Sequence, residues 1–135
     1  MERYFVDSNI FLRYYSKDDE VQSAAAEAFF LRAKRGEIEL FCGPPVFFET
    51  GWVLKTFYKL PDSYILDILE SMLSIPNLTV FDVEYVTSAI SIARQNSIGF
   101  ADSYIAAVAL DKNIGVSSFN TKHFKKVGVA LYSFS

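Results

Sequence analysis

Tyr4-Phe5-Val6-Asp7-Ser8-Asn9-Ile10-Phe11-Leu12 is the stretch on which the fold of this 135-residue chain turns. Its apolar start predicts a short buried strand over residues 3–6. Asp7-Ser8-Asn9 then supplies helix-capping chemistry for a helix from Ile10 to Tyr15. An acid therefore stands where a strand gives way to a helix.

The same alternation continues downstream. Asp18 and Asp19 precede a helix over Glu20 to Lys34, whose Ala24-Ala25-Ala26 and Phe29-Phe30-Leu31 favour helix and which Gly36 ends. Ile38 to Cys42 is a second strand. Gly43-Pro44-Pro45 breaks the chain, with Pro45 as the first residue of a third helix that runs to about Lys59. Pro61-Asp62 starts a fourth, with Ile65, Leu66, Ile68, Leu69, Met72 and Leu73 at helical spacing, and Pro76-Asn77 stops it. Leu78 to Phe81 reads as a third strand, and Glu84 to Gln95 and Ala101 to Asp111 as helices. Gly115 to Ser118 and Ala130 to Tyr132 read as short strands flanking a basic, partly helical turn. Strands alternating with helices predict an α/β protein with a parallel-type sheet covered on both faces, in one domain over residues 1–135. Ligands of such folds bind beyond the carboxyl ends of the strands, where Asp7, Ser118 and Asn120 fall.

Composition narrows the class. Half the residues are hydrophobic and thirteen are Phe, which is not the make-up of a disordered tail. Charges interrupt every apolar run, so no membrane span is expected, and Met1-Glu2-Arg3-Tyr4 does not read as a signal peptide. A cytoplasmic protein is the expectation. The single cysteine, Cys42, excludes an internal disulfide and a Cys-rich zinc site. The net charge of −3 argues mildly against a simple nucleic-acid binder, although acids gathered at a metal site would make the formal count more negative. Basic residues group at Arg32, Lys34 and Arg35, at Lys55 and Lys59, and at Lys122, Lys125 and Lys126, where solvated helix ends or loops account for them.

Asp7, Glu49 and Asp102 lie far apart, each in apolar sequence with no Lys or Arg nearby. Alone, Asp7 and Asp102 each read as a helix N-cap. Glu49, expected in the first turn of its helix among Phe47, Phe48, Trp52 and Val53, needs solvent or a positive partner. Together the three can point into one crevice, where like charges require a cation. Mg²⁺ or Mn²⁺ suits such an all-oxygen site and can activate water against a phosphodiester, which needs no His or Cys nucleophile.

Four segments carry a family resemblance. Phe5-Val6-Asp7-Ser8-Asn9-Ile10-Phe11-Leu12 resembles the opening of PIN-domain proteins. Pro44-Pro45-Val46-Phe47-Phe48-Glu49-Thr50-Gly51-Trp52-Val53-Leu54 is similar to their second acidic motif, and Ala101-Asp102-Ser103-Tyr104-Ile105-Ala106-Ala107 to their third. Val116-Ser117-Ser118-Phe119-Asn120-Thr121-Lys122-His123-Phe124 resembles the closing motif. The compact chain is most similar to the VapC-type toxins. The resemblance implies a three-layer α/β/α sandwich with a short, mostly parallel central sheet. It implies a metal-dependent endoribonuclease, the toxin of a type II toxin–antitoxin pair, in which Asp7, Glu49 and Asp102 hold Mg²⁺ or Mn²⁺. Asn9 would support the first acid, and Ser118 would orient a ligand or water. The implied partners are RNA, a small antitoxin whose tail lies in an apolar groove, and a second copy in a homodimer. Phe11, Tyr14, Tyr15, Phe29, Phe30, Phe57 and Tyr58 are candidates for that groove, although most such aromatics fill cores.

The chain departs from the pattern at its fourth acid. The family often carries Asp at the position of Asn120 or of His123, and neither is acidic here; as a supporting residue, Asn120 can still offer its side-chain carbonyl to a hard cation or its water, but it brings no charge. That leaves a catalytically inactive PIN-fold module binding RNA or protein as the alternative. A receiver-like signalling domain would need paired acids after the first strand, and a dinucleotide-binding fold would need Gly-x-Gly-x-x-Gly there. Neither pattern is present.

Overall fold

The computed structural model describes residues 1–134 and divides into two compact units, residues 1–83 and 84–135. The first unit is built on a three-stranded, all-parallel sheet in the order β1-β2-β3, with β1 at Glu2–Phe5, β2 at Ile38–Cys42 and β3 at Leu78–Val80. Phe5 pairs with Phe41 and Cys42 with Val80. The backbone bonds Val6 N–H to Phe41 O and Phe81 N–H to Cys42 O, both 2.8 Å, carry the pairing to the carboxyl ends of the strands. β2 is the apolar centre: Ile38, Leu40 and Cys42 are fully buried. Burial pushes the Cys42 thiol up to about 12, so it stays protonated and unreactive at neutral pH.

The expected buried strand at residues 3–6 is corrected here. β1 has a partner on one edge only, and all four of its residues are exposed; burial starts at Val6.

Four helices complete this unit: α1 (Ser8–Ser16), α2 (Glu20–Lys34), α3 (Pro44–Thr56) and α4 (Asp62–Met72). α1 packs on α2 and α3, α3 on α4, and α2 on β2. α2 has the bounds that the sequence predicts. Asp19 caps it by accepting from Gln22 N–H (3.0 Å), and Gly36, at φ +76°, supplies the left-handed turn that closes it. α3 starts at Pro44 rather than Pro45, because both prolines fit the first turn, where no amide hydrogen is needed. It ends at Thr56, short of Lys59, which turns at φ +56°.

A polar knot fixes the far end of α1. Asp18 accepts from Tyr58 Oη and Ser16 Oγ, both 2.7 Å, and from Arg13 Nη1 at 3.1 Å. The hydrogen bonds from Tyr58 and Ser16 hold its carboxyl below the usual range. Of the seven aromatics singled out for a groove, Phe11 and Phe30 are core, four are half-buried, and Phe57 is exposed.

The second unit carries the helices α5 (Val83–Asn96, starting at the boundary), α6 (Phe100–Lys112) and α7 (Lys122–Val127). Phe124 of α7 is buried in a cluster with Ala106, Ala109, Val116 and Val129. The strands expected at Gly115–Ser118 and Ala130–Tyr132 reduce to one isolated parallel bridge, Val116 with Leu131.

Three polar side chains are fully buried among the described residues: Ser8, Thr50 and Ser103. Ser103 Oγ donates to Gly99 O (2.8 Å), whereas Ser8 Oγ and Thr50 Oγ1 have no hydrogen-bond partner. A buried hydroxyl without a partner costs stability, so Thr50→Val, which keeps the shape, should stabilise the fold by up to about 1–3 kcal/mol in urea unfolding. Ile38→Ala in the centre of the sheet should destabilise it by about 2–5 kcal/mol in the same assay.

Candidate functional site

Asp7 follows β1 directly, at the N-cap position of α1 with extended backbone (φ −80°, ψ 159°). Its side chain makes no capping bond. It is exposed, and Oδ2 accepts from Asn9 Nδ2 at 3.3 Å. The capping function expected of Asp7 alone is therefore not what its carboxylate does.

Glu49 is the sixth residue of α3 and lies in its second turn, not the first as expected; counted from Pro45 it would be the fifth, already past one turn of 3.6 residues. It is also exposed rather than set among apolar side chains. The inward face of α3 is Val46, Phe47, Thr50 and Leu54, and a step of one residue turns about 100° away from it. Since β1 and β2 are parallel neighbours, both helices that carry these acids start from the same edge of the sheet, and they pack on each other.

Asp102 belongs to the second unit, with Ser118, Asn120 and His123. It is the third residue of α6, and Gly99 takes the N-cap position expected for it. The carboxylate gains from the helix start without serving as its cap. Oδ2 lies 2.8 Å from His123 Nδ1, and the two side chains are 33% and 37% exposed. Ser118 and Asn120 close a tight turn: Ser118 Oγ accepts from Asn120 N–H (3.0 Å) and donates to Asn120 O (3.1 Å). The Ser118 hydrogen is thus committed within the loop, and one lone pair stays open.

One regularity escaped the sequence reading. The three fully buried hydroxyls, Ser8, Thr50 and Ser103, each directly follow one of the three acids. The repeated acid–hydroxyl pair is visible in the sequence: the hydroxyl residue turns inward, and the acid before it keeps contact with solvent. This is why the apolar surroundings of the acids in sequence do not bury them in space.

The partners of these acids also differ from those of others in the chain. Glu39, Asp18, Glu37 and Asp62 lie within 3.1–3.5 Å of Arg3, Arg13, Arg32 and Lys55 respectively. The partner of Asp7 is a neutral amide. Among the described residues, no three His, Cys, Asp or Glu side chains already form a metal cage. The donors present at the three acid positions are carboxylate oxygens, which fit a hard divalent cation rather than a soft one.

No helix among the described residues is long and apolar enough to cross a membrane. No curated protein matches the chain. A similar solved structure is a chain of the crystal structure of VapBC2 from Rickettsia felis bound to a DNA fragment from their promoter. It is 20% identical over 98% of this chain and 99% of that one, with a TM-score of 0.39. The family model for the PIN domain matches residues 4–130. That match takes in all four motifs and almost the whole length, and the chain belongs to the PIN domain family, whose members are generally nucleases.

Proposed function

We propose that this protein is a metal-dependent endoribonuclease that hydrolyses RNA phosphodiester bonds, with Asp7, Glu49 and Asp102 as the residues that hold Mg²⁺ or Mn²⁺. The observation that carries the reading is electrostatic. Asp7, at a strand end where α/β folds bind ligands, is exposed and held by a neutral amide, so its charge is left for a cation. When bound, the ion would acidify a water and offset charge on the phosphodiester. The protein's own part is orientation. Asn9 steadies one oxygen of Asp7, and Asp7 and Asp102 stand at the N-terminal ends of α1 and α6.

The toxin role is part of the same proposal and rests on the four motifs and the compact size. Its partners would be a small antitoxin and a second copy of the chain, acting in the cytoplasm. A cavity of about 570 Å³ between α1 and α2 offers an apolar seat for an antitoxin segment, with Ile10, Ala25, Ala26 and Phe29 as walls and Asn9, Arg13 and Gln22 as polar rim. The absence of an acid at Asn120 and His123 favours a second reading, an inactive module that binds RNA or protein through the same fold.

Cleavage of a mixed RNA pool with Mg²⁺, Mn²⁺ or EDTA separates the two readings. Wild type should cut with metal and not with EDTA, and Asp7→Asn and Asp102→Asn should each lose more than about 100-fold in rate while keeping the fold, since even residues behind a ligand set commonly cost 10–100-fold. Wild-type cleavage by either variant would remove that residue from the site. No cleavage by antitoxin-free wild type in either metal would leave the inactive module. Ala25→Arg, in the wall of the cavity, should weaken antitoxin binding at least about tenfold by placing an unpaired charge in an apolar contact, with RNA cleavage unchanged.

A further inference from the structure

We propose that His123 is a positioning residue for Asp102: its Nδ1–H fixes the carboxylate, filling with a neutral donor a place where the resembled family often has an acid. The proposal rests on the role given to Asp102 above. Its geometry lies wholly within the second unit. Asp102, Ala106 and Ala109 are spaced i, i+4 and i+7, so they share one face of α6. Phe124 anchors α7 in the cluster that contains Ala106 and Ala109, and the preceding residue, His123, reaches Asp102 Oδ2 at 2.8 Å. The contact thus follows from how a short helix is seated, with no long flexible side chain to freeze.

The chemistry of the pair sets the tautomer. An ionised carboxylate only accepts, so the hydrogen of a neutral ring sits on Nδ1 and the lone pair on Nε2. Oδ2 is then taken by a directional bond, and Oδ1 is left to face a cation. An acid in place of His123 would repel Asp102 until an ion arrived. The imidazole instead orients the carboxylate beforehand, so less ordering remains when the ion binds.

His123 is the only histidine in the chain, so its ring nitrogens give a single, assignable pair of ¹⁵N signals. At about pH 9, above the ordinary imidazole range, wild type should show Nδ1 protonated and Nε2 bare. Asp102→Ala should release the ring to the Nε2–H form. An Nε2–H ring in wild type, or the same tautomer in both proteins, overturns the proposal.

Kinetics give the second arm. His123→Ala should lower kcat about 10–100-fold with little change in KM for RNA, and should weaken Mn²⁺ binding in a calorimetric titration about tenfold. His123→Asn, which keeps an N–H near the place of Nδ1, should restore most of both. Equal losses in the Ala and Asn variants would mean that the donor is not what matters. If wild type cuts no RNA, the nuclease reading fails by itself, while the ¹⁵N signals and the Mn²⁺ titration still decide the role of His123.

Discussion

Parallel pairing of β1 with β2, Phe5 opposite Phe41, is the constraint from which the arrangement of the first unit follows. Parallel neighbours end at the same edge of the sheet, so each must hand its chain to a helix there. β1 does so through Asp7 and β2 through Gly43 and two prolines. Fixing the register by Val6 N–H on Phe41 O leaves the residue after Val6 at the rim of the sheet, with extended backbone and no ladder bond to make. The buried side chains of β2, Ile38, Leu40 and Cys42, hold that register, because a slip of one residue would turn all three out of the core.

Charge then separates the acids that hold the structure together from those proposed as metal ligands. Asp18 is taken up by hydroxyls and a guanidinium and helps to clamp α1 against the end of α3. Asp19 is used as a helix cap. Asp7 is held only by an amide and Asp102 by an imidazole, both of which orient a carboxylate without cancelling it as a fixed cation would. The hydroxyl residue after each of these acids turns inward and is fully buried.

Much of this was legible in the sequence wherever a local cause fixed the outcome. The bounds of α2 follow from Asp19 and Gly36, and those of β2 from an alternating apolar run closed by a glycine and prolines. Family membership could be read from four motifs in order. Causes that act across the chain were less visible. Three apolar residues suggested a buried β1, but burial of a strand depends on its neighbours, and β1 has one. Glu49, the sixth residue of α3, lies beyond the first turn that the sequence reading assigned it, a matter of counting from the helix start. The segments around Val116 and Leu131 have strand-like residues, yet pairing stops at one bridge. His123 meets Asp102 through the packing of Phe124, a tertiary contact between residues 21 positions apart that no spacing rule reveals.

The central claim is that Asp7, Glu49 and Asp102 are the ligands of a divalent ion, and a crystal soaked in Mn²⁺ addresses it without reliance on any substrate. An anomalous difference map should place manganese against the oxygens of these three carboxylates, at roughly the 2.0–2.3 Å expected for a hard divalent cation of this size. A well-ordered crystal in which these carboxylates carry no manganese, or in which manganese binds elsewhere, would contradict the account.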